Sequence, residues 1–345
     1  MGTRISPKRN PYLLVAVLAA GMVWALPARA QAPAQSQPPA KVEEPEETFR
    51  VSVEVVNVFF NVKDKRGALI PGLTKGDFEI YEDGKPQTIK YFSAESNQPL
   101  TLGLLLDTSG SVQFVLEQEK QVGMSFLNDV LGPKDLAFLI NFDVGVEMLQ
   151  DFTNSRDRLR RAFERARINT GGGTGTIIPG GGGNPVPTAG PRGGTKLFDA
   201  VYLGAYEKLA TEVGRKAMII ISDGQDNGSY YTLKNAIEAA QKADAICYVL
   251  MVVDRQYGYD TFFVGDRDMK DLAEQTGGRL IQVDRLEKLK PAFDQIAEEL
   301  RSQYNLGYTP TNNARDGSFR KIEIKSLQKH KVQARRGYYA SNRSN

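Results

Sequence analysis

Between Phe49 and Ser93 apolar and polar residues alternate with the period of a half-buried strand. Val51, Val53 and Val55 keep one phase. Val56, Val58, Phe60 and Val62 keep the other, and this predicts a β-bulge at the flip. Phe78 to Tyr81 and Thr88 to Phe92 flank Asp83-Gly84, which predicts a hairpin. From Pro99 the pattern changes. Leu102 to Leu106 is an unbroken apolar run, the signature of a strand covered on both faces. A broad helical stripe from Phe114 to Val130 follows. Strands are then predicted at Leu136–Phe142, Lys216–Ser222, Ala245–Val253 and Leu280–Val283, with Val144–Phe152 as a more exposed edge strand. Helices are predicted at Arg156–Ile168, Leu197–Leu209, Leu233–Lys242, Met269–Glu274 and Leu289–Leu300. Beyond Tyr304 the period of two returns, through Leu306, Tyr308, Ile322, Ile324, Val332 and Ala334.

This order predicts an α/β fold: a doubly wound, mostly parallel sheet with one antiparallel edge strand. Two β segments flank it, at 48–95 and 304–345. Each is too small to hold a core alone. The reading adopted is one small all-β module built from both, interrupted by an α/β domain at 98–303. Two separate decorations are the alternative. Residues 169–194 interrupt the α/β pattern with glycine runs that support neither helix nor strand, and read as a surface insertion. They lack the G-x-x-x-x-G-K-[ST] spacing of a phosphate-binding loop.

Composition adds a compartment. Arg4, Lys8 and Arg9 precede an apolar run from Tyr12 to Leu26, and Ala28-Arg29-Ala30 gives an A-x-A ending. Residues 1–30 therefore read as a signal peptide cut after Ala30. The run is short for a membrane span. Residues 31–47, rich in Pro, Ala, Gln and Glu, read as a disordered linker. Removing four basic residues with the leader turns the formal charge of +3 into −1, which leaves no footprint for nucleic acid. The expected location is outside the cytoplasm: periplasm, cell surface or medium. One cysteine, Cys247, excludes an internal disulfide and reads as a buried thiol. One histidine, His330, leaves no Ser-His or Cys-His nucleophile.

The chemistry concentrates where strands end. The run Leu102–Leu106 stops in Asp107-Thr108-Ser109-Gly110-Ser111. One carboxylate and two hydroxyls spaced two apart are hard oxygen donors suited to a small divalent cation. They lie at the C-terminal end of a strand, where open α/β sheets bind ligands. One carboxylate does not satisfy such an ion. Further donors are available at Thr195, after Gly193-Gly194, and at Asp223, which ends Ile219-Ile220-Ile221-Ser222. Taken singly, these are an N-cap threonine and a turn aspartate.

Together Asp107, Ser109, Ser111, Thr195 and Asp223 resemble the metal-ion-dependent adhesion site of von Willebrand factor A domains. The resemblance covers roughly Pro99 to Tyr304. Leu73-Thr74-Lys75-Gly76-Asp77-Phe78, Glu82-Asp83-Gly84 and Tyr304-Asn305-Leu306-Gly307-Tyr308 are similar to segments of a bacterial group of secreted von Willebrand factor A-related proteins. The resemblance implies Mg²⁺ or Mn²⁺ held by Asp107, Ser109 and Ser111 with waters. Thr195 and Asp223 would bind directly or through water. It implies a protein or envelope partner that presents a carboxylate to complete the shell, and an adhesive rather than an enzymatic role. The glycine-rich insertion before Thr195 departs from the family's usual short loop. A scaffold with a purely structural metal is a second reading. A metal-assisted hydrolase is a third; it lacks a histidine nearby and paired carboxylates, with Asp226 its sole candidate.

Overall fold

In the computed structural model, the residues described are 55–94, 98–168, 194–252 and 265–342, all within one compact unit. The signal-peptide and linker expectations, the bulge beside Val55 and the glycine-rich insertion lie outside the described residues or at their margin.

A six-stranded sheet forms the middle of the molecule. Its strands are β5 (Leu100–Asp107), β6 (Leu136–Phe142), β7 (Val146–Thr153), β8 (Arg215–Ser222), β9 (Ala245–Val252) and β10 (Leu280–Val283). They lie in the order β10-β9-β8-β5-β6-β7, all parallel except the antiparallel edge strand β7. Every residue of β5 is buried, as its unbroken apolar run requires. Its side chains alternate between two cores. Leu102, Leu104 and Leu106 join the core under α1 (Leu116–Val130), α2 (Arg156–Arg165) and α6 (Leu289–Arg301). Leu105 joins the core under α3 (Leu197–Leu203), α4 (Leu233–Lys242) and α5 (Gly265–Thr276). Gly103 is required: a Cβ there would lie 2.3 Å from the Phe138 ring.

Several boundaries differ from the expectations. α2 stops at Arg165 because Ala166 leaves helical dihedrals and packs into the core at 0% exposure. The helix expected at Leu197–Leu209 is regular only to Leu203 and then widens into a π turn over Gly204–Lys208. Gly204 faces the sheet there, where a Cβ would meet Met218 Sδ at 3.0 Å. α5 is longer than expected and ends at Gly277, whose φ of +94° suits glycine. Cys247 is buried, and burial pushes its thiol up to about 12.

The flanking segments form two four-stranded sheets. One has the order β13-β1-β11-β4, with β1 (Val56–Lys63), β4 (Ile89–Ser93), β11 (Tyr304–Tyr308) and β13 (Lys331–Ala334). The other has the order β14-β12-β2-β3, with β2 (Phe78–Glu82), β3 (Lys85–Gln87), β12 (Phe319–Ser326) and β14 (Gly337–Tyr339). Both sheets therefore mix strands from before and after the α/β region. Val58, Phe60, Phe78, Tyr304, Leu306 and Ile324 share one core between them. Phe60 and Phe78 meet edge to face with ring centres 5.1 Å apart. The hairpin at Asp83-Gly84 is shorter than its sequence pattern. Its second arm pairs with β2 only as far as Gln87. After Thr88 the chain crosses to the other sheet, where Ile89 pairs with Tyr308.

α6 is joined to β1 and β13 by a buried polar knot. Glu299 is 2% exposed, and its Oε1 accepts from Lys63 Nζ at 2.9 Å and from Arg279 Nε at 2.6 Å. Gln333 Nε2 donates to Oε2 at 3.1 Å, and Asn61 Nδ2 donates to the Glu299 carbonyl at 2.8 Å. Among the described residues no helix is long and apolar enough to cross a membrane.

Candidate metal centre

The C-terminal ends of β5, β6 and β8 meet at one edge of the parallel sheet, and the candidate donors are on the loops that leave it. Asp107 is the last residue of β5. Leu106 pairs with Ile221, so the neighbouring strand delivers Ser222 and Asp223 to the same edge. Asp107 is fully buried, and each of its carboxylate oxygens accepts a hydrogen bond. Ser109 N–H donates to Oδ1 at 2.9 Å, and Ser222 Oγ donates to Oδ2 at 2.6 Å. Ser222 in turn accepts from Gly224 N–H at 3.0 Å, which orients its hydroxyl. Ser109 and Ser111 lie side by side, Oγ to Oγ at 2.9 Å, with Gly110 opening a short 3₁₀ turn between them.

Thr195 and Asp223 are placed by cross-links between loops. Thr195 N–H donates to Asn227 Oδ1 at 2.6 Å, and Asn227 N–H returns a bond to the Thr195 carbonyl at 3.2 Å. Gly194 makes this approach possible, since a Cβ there would lie 2.9 Å from Asn227 Oδ1. Lys196 N–H donates to the Asp143 carbonyl at 2.8 Å. Asp143 Oδ2 accepts from Thr108 Oγ1 at 3.0 Å. Thr195 is thus held between the loops after β6 and β8, and the loop after β6 is bound to Thr108 between the donors. Asp223 Oδ1 accepts from Gln225 N–H at 3.2 Å. Its Oδ2 is enclosed and has no hydrogen-bond partner among the described residues.

The electrostatics of this edge are those of a place missing positive charge. Burial pushes the Asp107 carboxyl up to about 7 from its ordinary 3.8, and the Asp223 carboxylate adds to the effect. The hydroxyls of Ser109 and Ser222 pull the other way without overcoming it. An orphaned buried carboxylate oxygen, a second carboxylate raised by its neighbour and adjoining hydroxyls fit a hard divalent cation. Ser222, Asn227 and Asp143 support the donors. A hydroxyl just before a strand-end aspartate was the sequence signal for Ser222; Asn227 and Asp143 carried none.

Asp226, the one candidate for acid–base chemistry, is committed to structure. Its Oδ1 accepts from Phe198 N–H at 3.1 Å, at the start of α3, and from Ser229 Oγ at 2.5 Å. Asp199 likewise accepts from the N–H groups of Tyr230 and Tyr231 at 2.8 and 2.9 Å.

No family model matches the sequence, and no curated protein matches it. Solved structures do match in part. Proximal thread matrix protein 1 from the mussel byssus aligns at 12% identity and a TM-score of 0.47, over 71% of this chain and 50% of its own. A second structure of that protein is described as having a zinc-occupied MIDAS motif, and aligns at 13% identity, over 62% of this chain and 48% of its own, with a TM-score of 0.47. The chain thus spans about half the length of the mussel protein. The conserved hypothetical protein BatB from Bacteroides thetaiotaomicron aligns at 18% identity and a TM-score of 0.42, over 59% of this chain and all of its own. The vWF domain of the type V pili tip protein Mfa5 from Porphyromonas gingivalis aligns at 11% identity and a TM-score of 0.43, over 60% of this chain and 96% of its own. With its mostly parallel six-stranded sheet, antiparallel edge strand and D-x-S-x-S motif at the end of a central strand, the chain resembles von Willebrand factor A-domain proteins.

Proposed function

We propose that this is an exported binding module that captures an acidic group of a protein or envelope partner through a Mg²⁺-type cation. Asp107, Ser109, Ser111, Thr195 and Asp223 would hold that cation, or Mn²⁺ in its place. The observation that carries the reading is the pair Asp107 and Asp223: two neighbouring buried carboxylates, one with an oxygen that no hydrogen bond among the described residues satisfies. When bound, the cation supplies a Lewis-acidic position for an external oxygen ligand. The protein's part is to fix the donors and limit their charge. Two carboxylates and three hydroxyls leave a divalent ion with appetite for one more anion, and a carboxylate from a partner is the hard donor that fits. The tying of Asp226 into the α3 N-terminus supports binding rather than hydrolysis.

A thermal-shift titration of the secreted chain with Mg²⁺, Mn²⁺, Ca²⁺ and Zn²⁺, against EDTA, tests the site. A cation that binds only the folded state at a hundredfold excess over its dissociation constant adds about 2.7 kcal/mol of stability. Asp107→Ala is expected to abolish the gain. Thr195→Ala is expected to keep most of it and to lose capture of carboxylate-bearing ligands. An Asp107→Ala protein that gains as much as wild type shows that the cation binds elsewhere. A wild-type protein that binds cation but shows no cation-dependent capture from the native envelope fraction supports a structural metal instead.

A further inference from the structure

α1 turns one stripe toward the sheet, formed by Leu116, Gly123, Phe126 and Leu127. Glu119 belongs to that stripe by spacing, three residues after Leu116 and four before Gly123. It is completely buried, and neither of its carboxylate oxygens has a hydrogen-bond partner among the described residues. The adjacent Lys120 does not neutralise it. Its ammonium is engaged with Glu117 Oε1 at 2.8 Å and the Ala166 carbonyl at 3.3 Å. An unpaired acid in the apolar stripe of a helix contradicts every packing rule that shapes the rest of α1.

The register of helix on strand shows where it sits. A Cβ on Gly123 would lie 3.7 Å from Leu104 Cδ2, so this turn of α1 rests on Leu104. Because β5 and β6 are parallel, α1 runs back against the direction of β5. Four residues toward the helix N-terminus is about 6 Å, and two residues onward along the strand is about 6.6 Å. This register carries Glu119 to the level of Leu106, toward the Asp107 end of β5. The charges that act on it agree: after burial itself, the carboxylates of Asp107 and Asp223 push its carboxyl upward.

We propose that Glu119 is an inner acid of the cation site, at the Asp107 end of the sheet, that would act on a bound cation from the protein interior. This rests on the cation reading above and adds a residue to it. Among the described residues no three His, Cys, Asp or Glu side chains converge as a ready-made metal cage, which fits a role for Glu119 outside the coordination sphere. It is a positioning residue. Ionised beside a bound divalent ion, Glu119 would add a third negative charge in a water-poor interior and strengthen the hold on that ion, as outer partners of metal ligands generally do.

The test is calorimetric titration of the secreted chain with Mn²⁺ and with Mg²⁺, for wild type, Glu119→Gln, Glu119→Asp and Asp107→Ala, with folding checked by circular dichroism. Glu119→Gln keeps shape and removes charge. It is expected to bind one cation about tenfold or more weakly than wild type, and Glu119→Asp to recover part of the loss. Should Glu119→Gln fail to fold, Glu119→Met carries the same comparison. Wild-type affinity in a folded neutral variant overturns the inference while leaving the site itself intact. Failure of wild type to bind any cation overturns the cation reading and this inference with it.

Discussion

A cation bound as proposed would compete with protons for one carboxylate, and that predicts a measurable pH dependence. Asp107 is completely buried, and its carboxyl is pushed up to about 7 from 3.8, chiefly by burial and then by Asp223. In the cation-free protein the folded state therefore keeps a proton that the unfolded chain has released. The folded state binds more protons between those two values, so stability falls as pH rises through that window and levels off above about 7. The gap of 3.8 to about 7 corresponds to at most about 4 kcal/mol. A cation reverses the sense, because it requires the carboxylate. Its affinity is expected to weaken by about tenfold from about pH 8 to about pH 6 and to level off above that range. Calorimetric titration with Mg²⁺ across this range, with heats corrected for buffer protonation, measures both the affinity and the protons released. At least one proton per cation is expected at the acid end, with Asp107 supplying the first. Affinity that stays flat across the range, with no proton release, refutes the argument, since it requires an Asp107 with an ordinary carboxylate range.

Other expectations follow from named contacts. Ser222→Ala removes the 2.6 Å hydrogen bond that favours ionised Asp107, so the midpoint of the pH profile should move upward; a downward or absent shift counts against that bond's role. Glu299→Gln leaves buried Lys63 and half-buried Arg279 without their anion and should cost about 3–5 kcal/mol in urea unfolding. Residues 31–95 expressed alone should show no cooperative thermal transition, whereas a 98–303 fragment should keep its α/β circular dichroism, because β1, β2 and β4 each pair with a strand from beyond residue 303. Intact mass of the secreted protein should lack residues 1–30.

The α/β frame was legible because β5, β8 and β9 each carry an unbroken apolar run, and only a sheet covered on both faces buries such runs. The D-x-S-x-S donors and the Ser-Asp-Gly after β8 were legible because oxygen donors interrupt those runs abruptly. What stayed hidden depends on tertiary packing. The crossing of the chain at Thr88 is not written in local periodicity, since Ile89 and Phe92 alternate as well in one sheet as in the other. The widening of α3 at Gly204 answers to Met218 on a strand that comes later in the chain. Glu119 was visible in principle as a charge at a core-facing phase of α1, but Glu117 and Lys120 beside it make the segment read as an ordinary polar surface. Asn227 and Asp143 act on Thr195 and Thr108 across loops, so no spacing announces them.

The position of β5 has a mechanical consequence. Its C-terminal residue is Asp107, and its N-terminal residue, Leu100, comes directly after the segment that follows β4. A load applied at Asp107 and resisted at Leu100 would run along the axis of β5. β6 and β8 flank β5 in register along nearly its whole length. Their hydrogen bonds stand across the line of pull and are loaded together, in shear, rather than opened one after another like a zipper. An attachment point at the end of an outer strand would be peeled; one at the end of this strand is braced on both sides.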